Sequence, residues 1–228
     1  MPFLSTLMQD DEKVAAYSFI HSIATTLGMS LYEQLSVVIA KDHSQDCARN
    51  VKMGGTISKA RKATINAIVN NLRENKRKPS IRREIGEILR ASKTDGITQK
   101  AGNIADFYMK RDGMEYFFEI KTVKPNIDVF EKSKTKLLEW VARKDKRIKP
   151  FLAFPYNPYA PEPYARFTMQ GMMDVSNDFL VGEEYWDLIG GKGTYKGLLE
   201  VIDEVGKTYR TKIQQKIKDV AQKKISKI

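Results

Sequence analysis

The sequence predicts an α/β protein, a mixed β-sheet flanked by α-helices with extra helices added at the N- and C-terminal ends. Three observations predict it. From residue 80 the hydrophobic pattern runs helix, strand, strand, helix, strand, and a helix between two strands is the crossover that a parallel pair needs. Asp112-Gly113 separates the first two strand segments and is a dipeptide that closes a two-residue hairpin, since both positions of that turn require φ > 0. Residues 10–47 and the tail from Thr208 carry apolar residues at helical spacing.

In chain order, residues 10–47 read as two helices, with Val14, Tyr17, Ile20 and Ile23 in the first and Leu31, Leu35, Val38 and Ile39 in the second. The next helix, about 58–76, places Ile65, Ile68, Val69 and Leu72 on one stripe and crowds basic residues at both ends. After Pro79, Ser80 is the expected N-cap of a helix whose stripe is Ile81, Ile85, Ile88 and Leu89. At about 100° per residue Glu84 falls on the edge of that stripe and Glu87 points away from it. Residues 104–121 hold the two hairpin strands. Residues 128–147 read as a helix burying Phe130, Leu137, Leu138 and Val141, and "PFLAF" reads as a strand stopped by Pro155. In "PYNPYAPEPYARF" four prolines forbid regular structure and three tyrosines offer aromatic faces. "IGGKGTYKGLL" misses the phosphate-loop spacing, because Lys192 is followed by Gly193.

Composition narrows the function. The 228 residues carry a formal net charge of +11. Arg49–Lys100 contributes +10 and Gly206 to the end +7, so the remainder is −6. Two basic regions on a mildly acidic body suit a polyanion such as DNA or RNA, although a solvated basic surface has the same composition. No run approaches the roughly 20 apolar residues of a membrane span. "MPFLSTLMQDDEK" lacks a basic region followed by an apolar core, so the expected location is cytoplasmic. Cys47 is the lone cysteine and can form no internal disulfide.

The hairpin carries the candidate chemistry. Closing the turn at Asp112-Gly113 pairs Arg111 with Met114 and, in the same register, sets Asp106 opposite Glu119. Lys121 is two residues further along the same face. Opposed carboxylates repel, and partial burial raises the cost unless a cation or a proton intervenes. Two readings follow: a salt-bridged patch closed by Lys121, or a magnesium site in which hard carboxylate oxygens hold a divalent ion and its waters. In the second, the lysine orients or deprotonates the attacking water and counters charge on the phosphorane-like transition state. Glu84 is the candidate third carboxylate. Only His21 and His43 are present, and neither stands in a His-metal or His-nucleophile nuclease pattern.

"AD" at Ala105-Asp106 followed by "EIK" at Glu119-Ile120-Lys121 resembles the PD-(D/E)XK nuclease signature. "KTDGITQKAGNIADFYMKRDGMEYFFEIKTVKPN", "PYNPYAPEPYARFTM" and "VGEEYWDLIGGKGTY" together resemble the TdeIII/MjaII group of type II restriction endonucleases. The resemblance implies a PD-(D/E)XK restriction-endonuclease-like core, with Asp106 and Glu119 as metal ligands, Lys121 as catalytic lysine, Mg2+ as cofactor and double-stranded DNA, cut at a GGNCC-type site, as substrate. The departure is Ala105, which stands where the signature has proline.

On that reading the chain is one nuclease domain: an N-terminal helical region 1–78, a catalytic core 79–156, a loop-rich DNA-recognition region 157–205 and a basic C-terminal helix 206–228. Lys100, Lys124, Asn157 and Arg166 are the candidate DNA-binding residues. A roughly palindromic site implies a homodimer, and a restriction enzyme implies a cognate DNA methyltransferase. The alternatives are a non-catalytic DNA-binding module, in which Asp106→Ala would change stability alone, and a repair or junction nuclease, which would depend on branches or lesions.

Overall fold

The computed structural model describes residues 6–99, 102–121, 126–157, 159–164 and 171–225. They form two compact units. One is drawn from the segments up to Leu31 and from Gly193 onward, and the other is Tyr32–Lys192.

In the first unit helix α1 (Asp11–Thr26) packs along the last helix, α7 (Thr194–Ile225), and a π-helical stretch Leu27–Leu31 follows α1. Both helices keep apolar side chains exposed, among them Tyr17, Ile20, Val201, Ile202, Val205 and Tyr209. The helix expected from Thr208 therefore begins 14 residues earlier, and it absorbs the glycines Gly197 and Gly206.

The second unit holds α2 (Tyr32–Ala40), β1 (Asp46–Lys52), β2 (Ile57–Ser58), α3 (Lys59–Arg73), α4 (Ile81–Arg90), β3 (Ile97–Gln99), β4 (Ile104–Arg111), β5 (Met114–Ile120), α5 (Ile127–Lys144), β6 (Lys149–Phe154), β7 (Phe179–Val181) and α6 (Glu183–Gly190). Its main sheet has the order β1-β4-β5-β6-β7, and β2 and β3 pair separately. β1, β4 and β5 are antiparallel neighbours, and β5, β6 and β7 are parallel. Helix α5 makes the predicted crossover. The fold is α/β, a mixed sheet between helices, as the sequence predicts. The strand β1, the short strands β2, β3 and β7, and helix α6 are additions to that prediction. β1, "DCARNVK", is a mostly polar edge strand, so no alternation marks it.

The hairpin has the expected register, with Phe107 opposite Phe118 and Arg111 opposite Met114. Its turn residues Asp112 and Gly113 both have positive φ, 50° and 73°, the geometry that matches the strand twist. Phe117 and Phe118 are both buried because each face of the sheet is covered, which is why "YFF" does not alternate. Phe117 meets Trp140 of α5, with ring centroids 6.2 Å apart, and Phe118 meets Tyr185 of α6 at 5.6 Å. A fully buried aromatic of this size contributes about 1.5–3 kcal/mol.

Capping sets the ends of α5 over the strands. Asn126 accepts a hydrogen bond from the Val129 amide at 3.0 Å, and Asp145 ends the helix in the left-handed region at φ 51°. Ser80 does not cap α4 with its hydroxyl. Instead the Ser80 amide donates to Glu84 at 2.9 Å, one residue past the capping-box position, which is held by Arg83.

At the entry to β4 the backbone of Gly102 passes so close to β1 that a Cβ there would lie 1.6 Å from the Met53 carbonyl oxygen. Met53 in turn donates its amide to the Asn103 carbonyl at 2.9 Å. Gly102→Ala is expected to force these two segments apart and lower stability by about 2–3 kcal/mol. An unchanged urea midpoint would show that the loop absorbs the methyl group.

Candidate active site

β4 and β5 bring Asp106, Glu119 and Lys121 together at the end of the hairpin away from its turn. Glu119 is buried at 4% exposure, and Lys121 Nζ lies 2.5 Å from its Oε1. Asp106 Oδ2 accepts a hydrogen bond from the Ile120 amide at 2.7 Å. The neighbouring strand β6 fixes the path of β5 beyond this point, because the Lys121 amide donates to the Ala153 carbonyl at 2.9 Å. Burial and the neighbouring Glu119 push the Asp106 carboxyl up to about 6, against the pull of Lys136, the Ile120 amide and Lys121.

Two residues that the sequence reading missed complete this cluster. Lys136 of α5 forms a close ion pair with Glu119 Oε2, so both carboxylate oxygens of Glu119 face ammonium groups. Glu33 of α2 lies within the field of Glu119 and Lys136. Burial raises its carboxyl above the ordinary range, Arg49 and Asn50 oppose that rise, and Glu119 adds to it. Continuing the β1–β4 register sets Asn50 opposite Asp106. Nothing local marks Glu33, whereas the close spacing of Lys132, Lys134 and Lys136 on one helix was a visible sign of a lysine directed inward.

Glu84 does not join this group. It is fully buried and paired with Lys134 at 2.7 Å, and the same ammonium holds Asp178 at 2.5 Å. Among the described residues no set of three acidic, histidine or cysteine side chains, Glu84, Asp106 and Glu119 included, is placed to hold one metal ion. The stripe-edge position read from the periodicity is correct. Burial then made Glu84 an ion-pair partner inside the core, because an unpaired carboxylate there would be strongly penalised.

Of the candidate DNA-binding residues, Lys100, Lys124 and Arg166 lie outside the described residues. Asn157 is half-buried and closes the proline-tyrosine loop on itself: its Nδ2 donates to the Glu162 carbonyl at 2.6 Å and its Oδ1 accepts from the Tyr159 amide at 2.9 Å. Tyr164 packs on Phe154 and Phe179, and Tyr159 packs edge-on against Tyr164, so these aromatics cover the sheet end. Beside the carboxylates a cleft of about 600 Å³ is lined by residues including Asn103, Ile104, Lys132, Thr135 and Lys136.

A mixed sheet with helices on both faces, whose adjacent antiparallel strands end in two carboxylates and a lysine, defines a restriction-endonuclease-like protein. A profile of the type II restriction endonuclease HinfI matches residues 1–206. The type II restriction enzyme HgiCII of Herpetosiphon aurantiacus is 35% identical over 207 residues, covering 87% of this chain and 75% of that protein. HgiEI of the same organism is 32% identical with the same coverage. The type II restriction enzyme MjaII of Methanocaldococcus jannaschii is 28% identical, covering 83% of this chain and 54% of its own length. No solved structure matches the chain. The chain belongs to the HinfI family of type II restriction endonucleases. It is a hydrolase, a site-specific deoxyribonuclease. Among the described residues no helix is long and apolar enough to cross a membrane.

Proposed function

We propose that this protein hydrolyses double-stranded DNA with Mg2+ held by Asp106 and Glu119, Lys121 being the catalytic lysine. One observation carries the reading: two adjacent carboxylates at the ends of neighbouring strands, one of them raised to about 6 by burial and by the other. Such a pair gains most from a divalent cation, and the donor set, hard oxygens with a cleft alongside, fits magnesium. Bound there, the ion would supply charge stabilisation at the phosphate and an activated water. Lys121 would orient the attacking water and balance negative charge as the water oxygen bonds to phosphorus, its proton passing to solvent, and the phosphorus bond to a bridging sugar oxygen breaks, that oxygen taking up a proton. Asp106 is held in place by the Ile120 amide, so its free lone pairs are directed by the backbone. Glu119 is held between Lys121 and Lys136.

The wider reading is a cytoplasmic homodimer that cuts each strand of a GGNCC-type site, with a cognate DNA methyltransferase acting on the same site. The apolar residues exposed along α1 and α7 support self-association, since scattered single apolar residues are ordinary and a row of them along two helices is not. Lys100, Lys124, Asn157 and Arg166 remain the proposed contacts to DNA. Incubation of the protein with plasmid DNA is expected to give discrete fragments with magnesium and intact DNA with EDTA. Fragments of no fixed size would remove sequence specificity, and equal cutting in EDTA would remove the ion.

A further inference from the structure

Lys136 has no part in the PD-(D/E)XK signature, yet its ammonium is the second cation on Glu119. Its side chain is 22% exposed, runs beside Trp140 with Nζ 5.5 Å from the ring centroid, and lines the cleft together with Asn103, Lys132 and Thr135. Asn103 is already committed to Glu139 at 2.7 Å, and Lys132 makes no ion pair among the described residues. Glu119 has an ammonium group on each oxygen, so a divalent cation that binds it meets their positive charge, and moving one of them away relieves that repulsion. Lys121 is tied to the same strand as Glu119. Lys136 is on a helix, with a long stem and an open cleft on its other side.

The charges follow the same logic. Glu33, Asp106 and Glu119 against Arg49, Lys121 and Lys136 leave no net charge when all are ionised. One divalent cation leaves two positive charges, which draw the phosphodiester backbone of the substrate toward the cluster. An ammonium released from Glu119 into the cleft meets two carboxylates there, Glu131 and Glu139, which are already paired with Arg73 and Lys62, so a backbone phosphate is the anion still without a partner.

We propose that Lys136 is a placeholder cation: it occupies Glu119 while no divalent cation is bound, yields that oxygen when one binds, and then holds a phosphate of the strand being cut against the cleft wall. The proposal rests on Glu119 being an ion ligand. It makes Lys136 a second substrate-contacting lysine beside Lys121, and it couples ion binding to phosphate binding through one side chain.

The test uses the full chain and Ca2+, titrated calorimetrically without DNA. Lys136→Met keeps the stem against Trp140 and removes the competing charge, so it is expected to bind Ca2+ about tenfold more tightly than the unsubstituted protein. The same variant, with saturating magnesium, is expected to cut at least about 100-fold more slowly in a single turnover, and Lys136→Arg is expected to recover part of that loss. Ca2+ affinity no tighter than that of the unsubstituted protein would overturn the placeholder role, and undiminished cleavage would overturn the phosphate contact. If Lys136→Met does not fold, Lys136→Gln gives the same two readings. Asp106→Ala separates this proposal from its foundation: Ca2+ binding undisturbed by that change would mean that the ion site itself is elsewhere.

Discussion

Replacing Asp106 by asparagine is expected to reduce cleavage about 1,000-fold or more while making the ion-free protein more stable. The two effects have one cause. In the folded chain burial and Glu119 raise the Asp106 carboxyl from 3.8 to about 6, so between those values the native state holds a proton that the unfolded state has released. Stability therefore falls as pH rises through that window, and above about 6 the whole penalty is present. At 1.36 kcal/mol per unit the upper bound is about 3 kcal/mol, of which partial exposure leaves about 1–2 kcal/mol. Asparagine keeps an oxygen for the Ile120 amide and carries no charge. Urea unfolding in EDTA should show the variant and the parent equally stable near pH 4 and the variant ahead at pH 8. A variant less stable at pH 8, or one that still cuts within tenfold of the parent rate, would refute the account.

Lys134→Met is expected to destabilise the sheet unit by about 3–5 kcal/mol, the largest structural effect of any single substitution considered for this protein. The Lys134 ammonium is fully buried between Glu84 and Asp178. Burial works to lower its proton affinity, and the two carboxylates more than reverse that. Burial pushes the Asp178 carboxyl up to about 6 even with Lys134 beside it. Without the lysine two carboxylates would share a site closed to water. Replacing all three residues by Gln, Met and Asn removes every charge and should recover much of the loss, because an ion cluster as a whole contributes little beyond its own desolvation. Glu84→Gln should keep cleavage, which sets it apart from Asp106→Asn. Loss of cleavage in a folded Glu84→Gln variant would return Glu84 to the reaction.

The hairpin was legible because its determinants are local. A two-residue turn at Asp112-Gly113 sets the register of the pairs as far as Phe107 and Phe118, and just beyond them the Ile120 amide holds the Asp106 carboxylate beside Glu119. Helix α4 was legible to the same depth: the spacing of its isoleucines placed Glu84 at the edge of the buried stripe, and the structure buries it. Its partner was not legible. Lys134 lies 50 residues further on, and its ammonium reaches Glu84 only because α5 crosses the sheet beside α4.

The sequence by itself determined the α/β order, the hairpin register, the convergence of Asp106, Glu119 and Lys121, and the family resemblance, because each depends on turn chemistry, side-chain period or motif. Tertiary structure alone decided which further charges stand near them. The rotation of α5 over the sheet brings Lys136 to Glu119 and Lys134 to Glu84, and the approach of α2 brings Glu33 to the site. Those placements follow from packing between elements far apart in the chain, where burial makes a paired charge tolerable and an unpaired one too costly to keep.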